Sequence, residues 1–126
     1  MSKTVIHTPN APAAIGPYSQ ATCINNLIYT SGQLGMNPTT GEMLDGINAQ
    51  ATQVMENLGA ILKEAGSDFN HVIKSLIFVT DLADFATVNS IYQSYFSGDF
   101  PARSCVQVAK LPKDGLVEIE VIAEKI

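Results

Sequence analysis

The sequence predicts an α+β fold: a six-stranded mixed sheet with two helices packed on one of its faces. Three stretches carry that expectation. From Asn48 to Ala65, the apolar residues Ala51, Val54, Met55, Leu58, Ile61, Leu62 and Ala65 recur at the i, i+3, i+4, i+7 spacing of a helix with one buried stripe. From Val72 to Thr80, apolar residues fall on both alternating faces (Val72, Leu76, Phe78 against Ile73, Ile77, Val79), the pattern of a strand buried on both sides. From Val117 to Glu124, Val117, Ile119, Val121 and Ala123 alternate with Glu118, Glu120, Ile122 and Glu124, so one face belongs in a core.

The remaining elements follow in chain order. Thr4 to His7 reads as a short edge strand, ended by Pro9 and the loop Asn10-Ala11-Pro12-Ala13-Ala14. Gly16-Pro17 is a turn signal that holds Tyr18 at the tip of a constrained loop. There the tyrosine either caps the core or hangs over a site as a hydroxyl donor. Ala21–Ile24 and Leu27–Ser31 form a hairpin about Asn25-Asn26. The second strand runs into Ser31-Gly32-Gln33, where the glycine either brings a backbone N–H close to a ligand or marks a bulge. Asn37-Pro38-Thr39-Thr40-Gly41 is a turn, and Gly66 is placed to stop the long helix in a left-handed cap. Asp84 is expected to cap a second helix with Phe85, Val88, Ile91, Tyr92, Tyr95 and Phe96 inward and Asn89 between them.

Pro101 launches a further strand through Ala109. Ser104, Val106 and Val108 fall on one face, expected to meet the core, and Arg103, Cys105 and Gln107 on the other. The guanidinium of Arg103 suits a planar carboxylate, gripped by two parallel hydrogen bonds; a surface arginine at a strand start is the plainer alternative. The short turn Leu111–Gly115 predicts an antiparallel hairpin between the last two strands, placing Arg103, Cys105, Glu118 and Glu120 on a common second face. In a regular hairpin, Arg103 lies offset by ~13 Å along the strand from Glu120. That offset fits a cavity between them better than an ion pair. Two helices cover only one face of such a sheet. The second, partly apolar face therefore calls for another copy of the chain, with charged residues near the subunit boundary.

Composition narrows the function. The 126 residues suit one domain spanning 1–126, and 46% hydrophobic against 15% charged residues is globular. The net charge of −5, with only seven Lys and Arg, argues against nucleic acid as a partner, because counterion release needs clustered cations. No apolar run approaches the ~20 residues of a bilayer span. Met1-Ser2-Lys3-Thr4 carries no apolar leader pattern, so a cytoplasmic location is expected. Cys23 and Cys105 make neither a CxxC pair nor a disulfide framework. Neither GxSxG, GxGxxG, HExxH nor a P-loop occurs. His7 and His71 are isolated, which gives a metal site or histidine base little support, and Cys105 has no evident histidine partner for nucleophilic work.

A resemblance is carried by five motifs in order: Ala13-Ala14-Ile15-Gly16-Pro17-Tyr18-Ser19-Gln20-Ala21, Tyr29-Thr30-Ser31-Gly32-Gln33, Asp81 through Asn89, Phe100-Pro101-Ala102-Arg103-Ser104-Cys105-Val106, and Glu118-Ile119-Glu120. Over essentially the whole chain this resembles the Rid (reactive intermediate/imine deaminase) family, also called YjgF, and within it the deaminating RidA subgroup. The resemblance implies a chorismate-mutase-like fold, assembled as a homotrimer with sites in clefts between subunits. It implies hydrolysis of 2-aminoacrylate/2-iminopropanoate and 2-iminobutanoate to 2-oxo acids and ammonia, with no cofactor and no metal. Arg103 would grip the substrate carboxylate, and the Gly32 N–H and the backbone around Cys105 would complete the cradle. Tyr18, Ser31 and Asn89 would line the cleft, and Glu120 would position the attacking water. The segment Ser97-Gly98-Asp99 is shorter than in some relatives, a loop difference that alters cleft shape. A non-catalytic module binding small 2-oxo acids would use the same arginine cradle. The ribonuclease or translation-inhibitor activity ascribed to some family members fits the acidic balance poorly.

Overall fold

The periodic segment folds as α1 (Ile47–Glu64), burying Val54, Met55, Leu58, Ile61 and Leu62. In the computed structural model, which describes residues 2–126, α1 ends in a Schellman motif. The Ser67 N–H donates to the Leu62 carbonyl at 2.8 Å and the Gly66 N–H to that of Lys63 at 3.1 Å, with Gly66 left-handed at φ 83°.

The sheet has seven strands, not six: β1 (Thr4–Ile6), β2 (Ala21–Ile24), β3 (Leu27–Thr30), β4 (Gln33–Leu34), β5 (Val72–Val79), β6 (Ala102–Gln107) and β7 (Val117–Glu124). Their order is β1-β2-β3-β7-β5-β6, with β4 also paired to β7. The extra strand, β4, is two residues long, too short for any alternation to announce it. The β2–β3 hairpin forms as expected, with Ile24 opposite Leu27 and Asn25 at φ 54°.

The expected hairpin between the last two strands does not form. β6 runs parallel to β5 at the sheet edge, reached through α2 (Phe85–Gln93), and β7 inserts between β3 and β5. The connection crosses the end of β5, where the Val108 N–H donates to the Val79 carbonyl (2.8 Å) and the Thr80 N–H to that of Leu116 (3.2 Å). Lys113 and Asp114 on the way are both left-handed at φ 55°. The most apolar strands take the centre, while β6, with its serine, arginine and glutamine, takes an edge.

This topology reverses the faces expected for β6. Ser75, Ile77 and Val79 of β5 point into the core, and they stand opposite Arg103, Cys105 and Gln107 in the parallel register. Arg103 and Cys105 therefore share the helix-covered face, and Val106 is 45% exposed on the other. β5 is not buried on both sides within one chain. A bulge between Val72 and Lys74 moves Val72 onto the core face and turns Ile73 outward, while Leu76 and Phe78 stay half-buried on the open face. Val117, Ile119, Val121 and Ala123 of β7 are buried as predicted, leaving Glu118, Glu120 and Ile122 on that open face.

The cap of the second helical segment is Asp81, not Asp84. The Asp81 carboxylate accepts the Ala83 N–H at 2.9 Å and opens a single 3-10 turn (Leu82–Asp84) that runs into α2, whereas Asp84 is helical and makes no capping bond. Val88 and Tyr92 are buried, but Phe85 is 38% exposed rather than inward. Tyr95 and Phe96 lie beyond α2 and pack edge-on against Phe69, with centroids 5.4 and 5.5 Å away. Among the described residues no helix is long and apolar enough to cross a membrane.

Candidate functional site

The residues singled out from the sequence separate into two groups. The first lies at the β6–α2 edge. Arg103 follows Ala102 at the start of β6, its Cζ 5.1 Å from the ring centroid of Tyr92 and 5.5 Å from that of Phe85. Both distances are within cation–π range. The ion pairs of the described residues are His71–Asp68 and Lys110–Asp114, so Arg103 has no carboxylate partner there. Asn89, half-buried, sits four residues after Phe85 and three before Tyr92, on the helix stripe that faces Arg103. Cys105, also half-buried, packs against the core; burial pushes its thiol pKa up and the Arg103 charge only partly offsets that. A thiolate nucleophile is disfavoured by this environment.

The second group surrounds a cleft of ≈310 Å³ between the Tyr18 loop, the β3–β4 junction and β7; Tyr18, Ser31, Gly32 and Glu118 all line it. The loop is held from beneath by Gln20, which lies in the first motif. Its side-chain oxygen accepts the Thr8 N–H (2.7 Å), and its amide N–H groups donate to the carbonyls of Thr8 (3.0 Å) and Pro12 (2.9 Å). Tyr18, 47% exposed, bends back over the loop so that its hydroxyl accepts the Ile15 N–H at 3.4 Å. The Ser31 hydroxyl donates to the Ser19 carbonyl at 2.6 Å, which leaves its oxygen able to accept.

Gly32 is required here by close approach. A Cβ at this position would overlap the Glu118 carboxylate and come within 2.7 Å of its Cδ and 2.9 Å of its Cγ. Glu118 is opposite Leu34 in the β4–β7 register and reaches back to Gly32. Burial raises its pKa above the ordinary carboxylate range, and the neighbouring Glu120 raises it further. Such a carboxyl holds its proton to higher pH than an exposed glutamate.

One expectation is corrected by this geometry. Arg103 and Cys105 do not share a face with Glu118 and Glu120; they lie on opposite sides of the sheet, Arg103 opposite Ser75 and Glu120 opposite Leu76. The carboxylate in the cleft with Gly32 is that of Glu118, and Glu120 does not line it. Alternation places both glutamates on one face but cannot say which of them meets Gly32. That depends on the β4–β7 pairing.

The fold and these two groups define a small two-layer α+β protein with a half-buried carboxyl of raised pKa in one cleft and, at another edge, an arginine with no carboxylate partner among the described residues. Comparison with known proteins places the chain further. The family model described as Endoribonuclease L-PSP matches residues 8–125, and the chain belongs to that family. A 2-iminobutanoate/2-iminopropanoate deaminase from Bos taurus is 52% identical over 122 residues, covering 96% of this chain and 89% of the relative. A protein of the same name from Escherichia coli (strain K12) is 52% identical over 126 residues, 98% of each chain. The crystal structure of E. coli TdcF with bound serine superposes with a TM-score of 0.94 at 44% identity, covering 98% of this chain and 99% of that one. The Rid/YjgF resemblance of the motifs is borne out by these relatives.

Proposed function

We propose that this protein is a hydrolytic deaminase of 2-aminoacrylate/2-iminopropanoate and 2-iminobutanoate, releasing 2-oxo acids and ammonia. The observation that carries the reading is the Glu118 carboxyl, raised in pKa and pressed against Gly32 in a cleft with Tyr18 and Ser31. Relatives at about half identity over nearly the full chain bear the name of this activity, and a neighbour of the same fold holds serine, a small amino acid with a carboxylate.

The enamine first takes a proton from solvent at its terminal carbon and becomes the protonated imine, whose carbon is electrophilic without a cofactor. Arg103 holds the substrate carboxylate by two N–H groups. The Glu118 carboxylate takes a proton from water as the oxygen bonds to the imine carbon, giving a carbinolamine. Glu118 then returns that proton to nitrogen. The C–N bond breaks with its electron pair leaving on ammonia while the carbinol O–H proton passes to the Glu118 carboxylate and on to solvent, and ammonia and the 2-oxo acid leave. The role expected of Glu120 passes to Glu118 in this scheme, and Glu120 acts through the charge it sets beside it. Gly32 offers its N–H, Cys105 its backbone, and Tyr18, Ser31 and Asn89 line the pocket.

Arg103 and Glu118 project from opposite faces of one sheet, and a substrate of three or four carbons cannot touch both within one chain. The site is therefore read as shared between copies. The open face with Leu76, Phe78, Val106 and Ile122 supplies the contact surface, in a chorismate-mutase-like homotrimer. Two free cysteines suit a reducing compartment, and the cytoplasm is the location proposed.

The test is ammonia and pyruvate release from 2-aminoacrylate generated in situ. Acceleration by wild type and not by Arg103→Ala is expected; equal, uncatalysed rates for both would remove the catalytic reading. A shared site adds a second outcome. Inactive Arg103→Ala and Glu118→Gln chains, unfolded and refolded together, should regain roughly a quarter of the wild-type activity through sites built from one intact half of each. No recovery would sink the shared site.

A further inference from the structure

We propose that Phe85 and Tyr92 are positioning residues, an aromatic clamp that presents the Arg103 guanidinium to the substrate carboxylate while leaving its hydrogen-bond donors free. The proposal rests on the carboxylate-anchor reading above and adds how the anchor is held.

An arginine at a sheet edge is a long, flexible side chain, and a mobile guanidinium loses entropy each time it grips a ligand. Proteins commonly fix such an arginine with an aspartate or glutamate, but that partner occupies the donor edge the ligand needs and cancels the charge. Arg103 has no such partner among the described residues. Instead its Cζ stands over two rings from α2, Tyr92 at 5.1 Å and Phe85 at 5.5 Å. The attraction of a cation for a ring face uses none of the five N–H groups.

The two rings are themselves held differently. Tyr92 is buried, and its hydroxyl donates to the Ser75 Oγ at 2.8 Å. Ser75 is fully buried and stands opposite Arg103 in the β5–β6 register, so the hydrogen bond ties α2 to the sheet directly beside the arginine. Burial raises the Tyr92 pKa, which keeps the phenol protonated as donor. Tyr92 also packs against Phe96 with centroids 4.7 Å apart, fixing the ring from behind. Phe85, by contrast, is 38% exposed at the first position of α2, a place where a large apolar ring gains little from the core. Its position over the guanidinium gives the ring a use.

The experiment compares wild type, Phe85→Leu, Phe85→Tyr, Tyr92→Phe and Arg103→Ala, measuring 2-oxobutanoate binding by calorimetry together with kcat and KM for the in situ imine. Thermal melting of each variant checks that the fold is kept. Phe85→Leu keeps bulk and apolarity but removes the ring. It should weaken 2-oxobutanoate binding and raise KM by about three- to tenfold with little change in kcat. Phe85→Tyr should restore both values, because it restores the ring face. Tyr92→Phe separates ring from hydroxyl: a clamp that works through the ring predicts a smaller rise in KM than Phe85→Leu gives. If Arg103→Ala abolishes binding while Phe85→Leu binds like wild type, the clamp is wrong and the anchor stands. If Arg103→Ala also binds like wild type, the anchor reading itself falls and takes the clamp with it.

Discussion

The two ends of the candidate site hold opposite charges by opposite means. At the β6–α2 edge the cation of Arg103 rests on aromatic faces with no carboxylate beside it, so its charge and donors stay available. In the Tyr18 cleft, the carboxyl of Glu118 is pressed against backbone at Gly32, half-buried, beside a second carboxyl, so its proton is retained to higher pH. One environment keeps a permanent charge ready to bind. The other makes a charge conditional, which is what proton transfer requires. In the proposed scheme the contrast separates an anchoring task from a chemical task, and substitutions on the two sides should fail in different ways.

The largest effect is expected from Glu118→Gln. It should lower kcat by about 10²- to 10⁴-fold, the usual worth of a positioned acid–base group, while 2-oxobutanoate affinity stays within a factor of a few. Loss of affinity equal to the loss of turnover would place Glu118 in binding and dissolve the contrast. Gly32→Ala comes next. Its methyl would occupy the place of the Glu118 carboxylate, and displacement by even an ångström should cost on the order of 10² in rate. A wild-type rate for this variant would show that the close approach has no catalytic meaning. Arg103→Lys keeps the charge but loses the two-pronged donor edge and the planar face on the rings. We expect KM to rise about tenfold or more with kcat nearly kept, the reverse of the Glu118 signature.

Two pH measurements sharpen the cleft side. The base form of Glu118 is the ionised one, so kcat/KM should climb with pH through its raised pKa. In Glu120→Gln the neighbouring negative charge is gone, and the acid limb of the profile should move to lower pH. An unmoved limb would mean that the residue titrating in the profile is not Glu118. Stability should follow the same group. The folded chain keeps the Glu118 proton where the unfolded chain has lost it, so the contribution is full below the ordinary carboxylate range. It declines as pH rises through the raised value. Glu118→Gln should therefore melt above wild type at neutral pH, with the difference closing in acid. The smallest effect is expected from Cys105→Ser, a change of less than about threefold in rate, because the burial-raised thiol packs against the core and the proposed cradle takes only its backbone.

The sequence by itself determined whatever is local. The stripe from Ala51 to Ala65 specified α1, Gly66 its end, Asn25-Asn26 the first hairpin, and the alternation of Val117 to Ala123 the buried face of β7. The motifs around Tyr18, Gly32, Asn89, Arg103 and Glu118 also fixed the family, since five short patterns in order need no coordinates. Tertiary structure decided the rest. The insertion of β7 between β3 and β5 put Arg103 on the helix side, and the two-residue β4, invisible to any periodicity, chose Glu118 over Glu120 as the partner of Gly32. The physical reason is the period of two in a strand. Alternation states which residues share a face, but only long-range pairing says which face meets the core, and a register shift of one residue turns every side chain to the other side.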